Sequence, residues 1–252
     1  MPACLIVGVL NCTPDSFSDA GRYATTREAV EAGIRMAGEG ADWIDVGGES
    51  TRPGAKTVGE AEEQSRVLPV IEGLRSRLRS DVLVSIDTYR AATARAALAA
   101  GARVVNDISG GLLDPDLLEV AAEAKAKVVL GHLRGRPSTM MEAISFEDVM
   151  AEVADELGAQ IRSGRKAGCE EIWADPGIGF GKTLEHNVAL LRGVAPLRAK
   201  LGVPLMVGVS RKSFIGQITG KPVGERVFGT AGAVAAAVLA GASAVRVHDV
   251  AA

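Results

Sequence analysis

The sequence predicts an α/β protein that folds as one (β/α)8 barrel of the TIM type over residues 1–252. Three observations predict this class. Short β-branched runs alternate with longer Ala-rich runs that carry Arg and Glu, there are eight of the short runs, and no Pro/Ser-rich linker or block of charge divides the chain. Eight parallel strands joined by helices form a barrel, and such barrels commonly reach about 250 residues as one domain.

Each strand candidate is a short apolar run that ends at a polar or glycine-rich stretch, and each helix candidate is a longer run between two strands. In order, the strands are LIVGVL (5–10), WIDV (43–46), VLVSI (82–86), VV (104–105), KVVL (127–130), IWA (172–174), LMVG (205–208) and AVRV (244–247). Helices are expected near 27–39, 60–79, 90–100, 115–125, 147–167, 185–200 and 226–241. The order ends on a strand, so the barrel is expected to lack its final helix and to expose apolar surface near residues 235–247.

Composition excludes several classes of protein. A formal net charge of −3 is not that of a duplex nucleic-acid binder, which normally carries a basic patch. Three scattered cysteines give neither a disulfide framework nor a metal knuckle, and their odd number favours a reducing compartment. No run approaches the ~18 apolar residues of a membrane span. We therefore expect a cytoplasmic protein with small-molecule ligands, without nucleic-acid or membrane partners.

Every predicted strand ends with or is followed by residues with acidic, amide or basic side chains. In strand order these are Asn11; Asp45; Asp87; Asn106 and Asp107; His132; Asp175; Arg211 and Lys212; and Arg246, His248 and Asp249. The carboxyl ends of barrel strands converge on one mouth, where barrel enzymes place their sites. The sequence thus predicts one polar pocket.

The pocket is expected to have two chemical characters. Asp87, Asn106 and Asp175 offer acceptors and an amide that suit the donor-rich edge of a guanine-like or pterin-like ring. Arg52, Arg246 and His248 supply cations that suit phosphate or diphosphate oxygens. Glycines at 47–48, 110–111 and 177–181 allow the backbone to approach a ligand closely.

Several segments, in order along nearly the whole chain, resemble the signature segments of the dihydropteroate synthase family. They are GVLNCTPDSFSDAG, GADWIDVGGESTRPGA, VLVSIDT, VVNDISGG, IWADPGIGFGKT, GVSRKSFIG and AVRVHDV. The resemblance implies a barrel enzyme of folate synthesis that joins 6-hydroxymethyl-7,8-dihydropterin diphosphate to 4-aminobenzoate and releases diphosphate. It also implies a homodimer, although a missing last helix would put this in doubt, and a target of sulfonamides.

The resemblance assigns roles to individual residues. It implies that the pterin is bound by Asp87, Asn106, Asp175 and Lys212, and that the Mg²⁺ carried by the diphosphate is bound by Asn11. It implies that the diphosphate is bound by Arg52, Arg246 and His248. It also implies that the aminobenzoate site is formed by Thr51, Phe180 and Ser213, and that the loop which closes over it carries Asp15, Ser16, Phe17 and Ser18. Turnover is then an SN1-like alkyl transfer in which Asp87, Asp175 and Asp15 ease the cation at the pterin methylene.

Other residues are expected to serve structure. We expect Asp45 and Asp107 to pair with arginine or backbone, His132 to lie behind the site, and Lys182 to face water at a helix start. Cys12 has no paired base and is interpreted as an apolar filler. Trp43 and Trp173 lie within strands and are expected to pack in the interior.

Two departures from the family pattern and two alternative functions stay open. Gly131 stands where the family usually has Met, and Cys12 where a larger aliphatic residue is common. A methyltransferase on the same pterin-binding barrel would share the acceptor cluster but would not need Arg52, Arg246 and His248. A pterin-binding paralogue without catalysis would bind the ligand and release no diphosphate.

Overall fold

The computed structural model describes residues 4–12, 26–51, 54, 57–142 and 144–252. Eight strands lie within these ranges: β1 (Leu5–Asn11), β2 (Trp43–Gly47), β3 (Leu83–Asp87), β4 (Val104–Asp107), β5 (Lys127–Gly131), β6 (Ile172–Asp175), β7 (Met206–Gly208) and β8 (Ala244–Val247). All pair in parallel in the order β6-β5-β4-β3-β2-β1-β8-β7. A parallel bridge between Ala174 and Leu205 joins β6 to β7 and closes the barrel. The predicted fold class is confirmed.

Helices cover the outside of the barrel. Their bounds are α1 (Thr26–Gly38), α2 (Glu60–Arg77), α3 (Ala91–Ala99), α4 (Asp116–Glu123), α5 (Val149–Ala167), α6 (Leu184–Arg192), α7 (Val194–Leu201), α8 (Ser213–Thr219) and α9 (Val227–Leu239), with a 3-10 turn at Val223–Glu225. Aliphatic residues of the helices pack on the outward faces of the strands and form the main core.

Two features of the helices differ from the prediction. The helix expected at 185–200 is divided at Gly193, where a Cβ atom would lie 2.2 Å from Cε of Met150 in α5, so the chain bends at a close contact. Helix α8 was not predicted, because its seven residues are too short to display a helical period.

A second apolar cluster fills the barrel interior at the end opposite the strand carboxyl termini. Trp43 and Trp173 meet there edge to face, with ring centroids 5.2 Å apart. The other residues of this cluster include Val7, Val104, Val129 and Met206. The predicted packing role of the two tryptophans is confirmed. One end of the barrel is thereby closed, which leaves the opposite end for the polar residues.

Helix α9 presents an apolar face to solvent. Nearly all of its side chains are apolar, yet Thr230 and Ala237 are the ones that are buried. Phe228 is 87% exposed and Leu239 is 79% exposed. The expected exposure near residues 235–247 is therefore confirmed for the helix, whereas the residues of β8 that follow are largely buried.

Gly131 allows the end of β5 to approach the backbone of Ile108, which directly follows β4. A Cβ atom at this position would lie 2.7 Å from both Cα and the carbonyl oxygen of Ile108. Because backbone atoms cannot yield easily, we expect Gly131→Ala to lower the free energy of unfolding by about 1–3 kcal/mol, measured by denaturant titration. This contact gives a physical reason for glycine at position 131.

Gly158→Ala in α5 is the matched control for this glycine. The nearest atom to its Cβ is the flexible end of Arg162 at 3.4 Å, so alanine should leave stability unchanged or raise it by up to about 1 kcal/mol. Equal effects at both glycines would contradict the steric account of Gly131.

Candidate active site

Strand register places the polar side chains at one end of the barrel. Asp87 and Asn106 are register partners across β3 and β4, as are Gly131 and Asp175 across β5 and β6. Gly208 of β7 is aligned with Arg246 of β8. The predicted convergence of the strand ends is thus present among the described residues.

A buried ion-pair cluster occupies the centre of this end. Arg246 donates from Nε to Asp45 at 2.6 Å and from Nη2 to Asp87 at 2.7 Å. Asn106 Nδ2 donates to the same Asp45 oxygen at 2.9 Å. The expected pairing of Asp45 with arginine is therefore confirmed. The Asp45 side chain is only 1% exposed. Arg246 therefore joins β8 to β2 and β3.

Burial sets the ionisation of this cluster. It raises the pKa of Asp87 to about 7, although the neighbouring Arg246 acts in the opposite direction. Burial also opposes the charge on Arg246, but Asp45 and Asp87 outweigh it and raise the Arg246 pKa. Asp45 Oδ1 is buried without a hydrogen-bond partner in the described part of the chain.

Asp175 and Lys212 form a second buried pair of charges. Asp175 Oδ1 accepts from the backbone N–H of Gly177 at 2.7 Å, while the Lys212 ammonium donates to the carbonyl oxygen of Ile178. The same ammonium lies 4.4 Å from the centre of the Phe180 ring. Burial lowers the pKa of Lys212 to about 8 and raises that of Asp175, and the attraction between the two groups opposes both shifts.

The Asp107 carboxylate accepts hydrogen bonds from its own loop. It accepts from the N–H and hydroxyl of Ser109, both at 2.8 Å, and from the N–H of Gly111 at 2.6 Å. The expectation that Asp107 pairs with backbone is confirmed. The Asp107 carboxylate therefore holds the β4–α4 loop in place.

Lys182 is buried, so the expectation that it faces water is wrong. The residue is 3% exposed and its ammonium contacts Nδ1 of His132 at 3.0 Å. The sequence shows a lysine before a helix, a position that is usually solvated, and gives no sign that the preceding loop folds over it. His132 lies behind the site, as expected.

Polar contacts join the loop after β7 to the end of β8. The backbone N–H of His248 donates to Ser210 Oγ at 3.1 Å, and His248 Nδ1 lies 3.0 Å from the same oxygen. Arg211 binds Asp249 through two nitrogens, at 2.6 and 3.0 Å, which joins the loop after β7 to the end of β8.

The remaining predicted residues divide into two groups. Asn11 ends β1, Thr51 follows β2 and is half-buried, and Ser213 begins α8 and is exposed. Arg52 and the segment Asp15, Ser16, Phe17 and Ser18 lie outside the described residues. Burial raises the pKa of the Cys12 thiol to about 12, which agrees with its interpretation as a filler.

Two supporting residues were missed by sequence reasoning. Asn187, at 2% exposure, accepts from the N–H of Gly179 at 2.6 Å and donates to the carbonyl of Thr183 at 2.8 Å, so it fixes the β6–α6 loop from α6. Ser210 orients His248. The serine could have been found as the first residue of the SRKS segment, whereas a polar residue within a helix carries no such signal.

A buried network supports the β2–α2 loop, which carries Thr51. Arg90 pairs with Glu49 at 2.6 Å and with Glu63 at 2.8 Å. The hydroxyl of Tyr89 donates to Glu49 at 2.8 Å. These contacts join the loop to α2 and to the start of α3.

The fold and the site together define a class: a (β/α)8-barrel enzyme with buried carboxylates, an amide and cations at the carboxyl ends of its strands. The chain belongs to the family of pterin binding enzymes, whose model matches residues 7–248.

Individual relatives agree with the family assignment. The chain is 48% identical over 248 residues to dihydropteroate synthase of Synechocystis sp., covering 97% of this chain and 85% of the relative. Among solved structures, Xanthomonas albilineans dihydropteroate synthase with 4-aminobenzoic acid is 43% identical with a TM-score of 0.91, over 99% of this chain and 89% of that one. The same enzyme in complex with 7,8-dihydropteroate gives 39% identity and a TM-score of 0.87, over 99% and 89% of the two chains.

Proposed function

We propose that this protein condenses 6-hydroxymethyl-7,8-dihydropterin diphosphate with 4-aminobenzoate to give 7,8-dihydropteroate and diphosphate. The observation that carries the proposal is the cluster of Asp87, Asn106, Asp175 and Lys212 at one end of the barrel, beside Arg246. Solved relatives that bind 4-aminobenzoic acid and 7,8-dihydropteroate support it.

The pterin ring would be bound by complementary donors and acceptors. Its amino group and ring N–H groups are donors, and the ionised carboxylates of Asp87 and Asp175 accept them. Lys212 and the amide of Asn106 donate to the ring carbonyl and ring nitrogens. Because Asp87, Asn106 and Asp175 lie on strands and Lys212 is held by the carbonyl oxygen of Ile178, little ordering is needed on binding.

Loss of diphosphate is the difficult step of the reaction. The C–O bond at the pterin methylene breaks with its electron pair going to diphosphate, and the arylamine nitrogen then attacks the cation and loses a proton to solvent. The amine of aminobenzoate is a weak base with an available lone pair, so no general base is required. Asp87 and Asp175 stabilise the cation, and Arg246, His248 and Arg52 stabilise the departing charge. The expected Asp15 would add to the first group.

Asn11 would hold the Mg²⁺ carried by the diphosphate. Its side-chain oxygen faces the polar end of the barrel, since both Asn11 Oδ1 and Asp87 Oδ2 lie 3.6 Å from a Cβ atom built at Gly47. Among the described residues no cluster of three acidic, His or Cys side chains could form a protein-only metal cage. One hard oxygen fits a metal that is bound mainly by substrate phosphates. Neutralisation of charge on diphosphate is the chemistry that this ion supplies when bound.

We also propose a cytoplasmic location and assembly into a homodimer. Three free cysteines suit a reducing compartment. None of the helices in the described ranges is long and apolar enough to cross a membrane. The exposed Phe228 and Leu239 of α9 are compatible with a second copy of the chain, and sedimentation velocity gives the oligomeric state.

Pterin affinity is expected to fall as the pH decreases through about 7, where Asp87 takes up a proton and no longer accepts two donors. The loss reaches up to about tenfold for each pH unit below that pKa, because only the ionised form binds well. Calorimetry with 6-hydroxymethyl-7,8-dihydropterin checks this. Asp87→Asn is the control: it should bind weakly with a smaller pH dependence, and constant affinity of the parent protein across this range would contradict the role of Asp87.

Product formation tests the proposed function. Purified protein is given both substrates and Mg²⁺, and 7,8-dihydropteroate is detected by chromatography and mass spectrometry. A pterin-binding paralogue without catalysis would bind dihydropterin diphosphate in calorimetry and form no product.

A further inference from the structure

Lys182 has a buried ammonium group that the proposed mechanism does not use. The ammonium donates to the carbonyl oxygen of Phe180 at 3.0 Å and contacts Nδ1 of His132 at the same distance. A buried cation costs free energy unless it is hydrogen-bonded and its charge is offset. The two contacts offset part of this cost and connect Lys182 to the loops that follow β5 and β6.

His132 connects Lys182 to a carboxylate near the surface. Nε2 of His132 lies 3.0 Å from Oε2 of Glu156 in α5, and the Glu156 side chain is 38% exposed. An ammonium group can only donate, so Nδ1 of His132 is the acceptor and Nε2 carries the hydrogen that is donated to Glu156. Arg134 pairs with the same carboxylate and with Glu152, one turn earlier in α5.

The loop that Lys182 binds also holds the catalytic charges. Within the β6–α6 loop, the N–H of Gly177 donates to Asp175, and the carbonyl of Ile178 accepts from Lys212. Phe180, whose carbonyl oxygen accepts from Lys182, places its ring against the Lys212 ammonium. A shift of this loop would move both Asp175 and Lys212.

The loop packs tightly on the end of β5. A Cβ atom at Gly177 would lie 1.9 Å from the carbonyl oxygen of His132 and 3.1 Å from the Lys182 ammonium nitrogen. This part of the loop therefore packs directly on His132 and Lys182.

Charged and titratable groups on several elements face Lys182. They are Asp175 of β6, Lys212 of the β7–α8 loop, Glu156 of α5, and Arg134 and His132 of the β5–α5 loop. Burial lowers the pKa of Lys182 to about 7, while Asp175 and Glu156 raise it against that effect. Burial, followed by the charge of Lys182, lowers the pKa of His132 to about 4, so His132 is neutral at neutral pH.

We propose that Lys182 is a positioning residue for the pterin site, an inference that rests on the proposed function. Its ammonium fixes the β6–α6 loop against His132, and its charge favours the ionised form of Asp175, which accepts the pterin donors. Glu156, acting through His132, keeps the proton on Lys182. The surface carboxylate thereby controls a charge inside the barrel.

The ionisation of Lys182 can be measured directly in the intact protein. The chain contains eight lysines, so labelling with [ε-13C]lysine gives few signals, and Lys182→Met assigns the one of interest. We expect this signal to titrate near pH 7 in the parent protein. In Glu156→Gln the midpoint should fall by about one pH unit, the effect of one charge several ångströms away in a partly dry interior.

Glu152→Gln is the matched control for Glu156→Gln. Glu152 pairs with the same Arg134 at 2.7 Å, but its contacts within the described ranges do not reach His132 or Lys182. The Lys182 midpoint should stay at the parent value in this variant. Both substitutions are at partly exposed positions, so the comparison does not depend on whether Lys182→Met folds well.

Pterin affinity supplies the second readout. Lys182→Met should weaken binding of 6-hydroxymethyl-7,8-dihydropterin at about pH 7 by at least tenfold, the size expected for the loss of a charge-assisted contact. Lys200→Met, which removes an exposed lysine paired with Asp155, should retain parent affinity. Glu156→Gln should weaken binding at the alkaline side of the Lys182 midpoint, whereas Glu152→Gln should not.

Three results would overturn the proposal: a Lys182 midpoint above about pH 9, an unchanged midpoint in Glu156→Gln, or parent affinity in a folded Lys182→Met protein. Failure of the proposed function gives a different pattern. The lysine titration and its response to Glu156→Gln would then persist in a protein that forms no dihydropteroate.

Discussion

Asp175→Asn is expected to lower kcat/KM for dihydropterin diphosphate by roughly 10²- to 10⁴-fold, since each hydrogen bond to a charged group contributes about 1.5–3 kcal/mol and the proposed function has Asp175 accept two from the ring. The carboxylate is buried, and Lys212 and the N–H of Gly177 favour its ionised form. Asparagine has the same size but presents an N–H₂ group where a ring donor needs an acceptor. Steady-state kinetics with product detection measure the loss.

Lys212→Ala should cause a loss of similar size, because it removes a proposed donor to the ring and the charge that most favours the ionised form of Asp175. Circular dichroism should show both variants folded. Near-parent kcat/KM in either variant would contradict the pterin assignment.

Asp107→Asn is the matched control for Asp175→Asn. It makes the same chemical change in a buried carboxylate at the end of a strand, but that carboxylate binds Ser109 and Gly111 of its own loop. We expect it to lower the melting temperature and to keep kcat/KM within about tenfold of the parent, because it is not a pterin ligand. A loss as large as that of Asp175→Asn would show that any buried carboxylate at this end matters equally.

Arg246→Met is expected to cost about 3–5 kcal/mol in the free energy of unfolding as well as activity, because it leaves two buried carboxylates without their cation. Asp45 and Asp87 accept from Arg246 at 2.6 and 2.7 Å, and the Asp45 side chain is 1% exposed. For a chain of this length the loss corresponds to about 10 °C in melting temperature, measured by calorimetry.

The stability loss in Arg246→Met has a pH signature. Asp87 has a folded pKa raised to about 7 in the parent protein, and loss of Arg246 raises it further. The folded variant therefore binds more protons than the folded parent above that pH, so the difference in stability grows as the pH rises above about 7. A difference that is independent of pH would contradict the ion-pair account.

A double variant separates charge from packing at this position. Asp45→Asn combined with Arg246→Met removes one of the two unpaired charges, so we expect it to be more stable than Arg246→Met alone. Additive destabilisation would indicate that lost packing of the arginine side chain, and not the unpaired carboxylates, causes the effect.

The fold could be predicted because short strand-like runs and longer helix-like runs alternate clearly along the chain. Part of the site could be predicted because acidic, amide and basic side chains lie at the strand ends. The positions of Asp87, Asn106, Asp175 and Arg246 at strand ends predict that they meet at the mouth, and the register of the sheet puts them there. Lys212 lies in the loop after β7. This inference needs only the rule that parallel strands of a barrel end on one side.

Features that depend on tertiary packing could not be predicted. Lys182 is buried because the loop of residues 177–181 folds over it and His132 supplies an acceptor, and neither fact is visible in a local stretch of sequence. Arg246 was assigned to the anion, but its two shortest contacts are with Asp45 and Asp87, residues more than 150 positions away. Long-range pairing of this kind follows from the closed sheet.

The most direct measurement is diphosphate release by the purified protein with dihydropterin diphosphate and Mg²⁺, with and without 4-aminobenzoate. The account predicts release that requires the amine and equals the 7,8-dihydropteroate formed. Absence of amine-dependent release from a folded protein that binds dihydropterin diphosphate would contradict it, and would identify the chain as a binding member of the family without synthase activity.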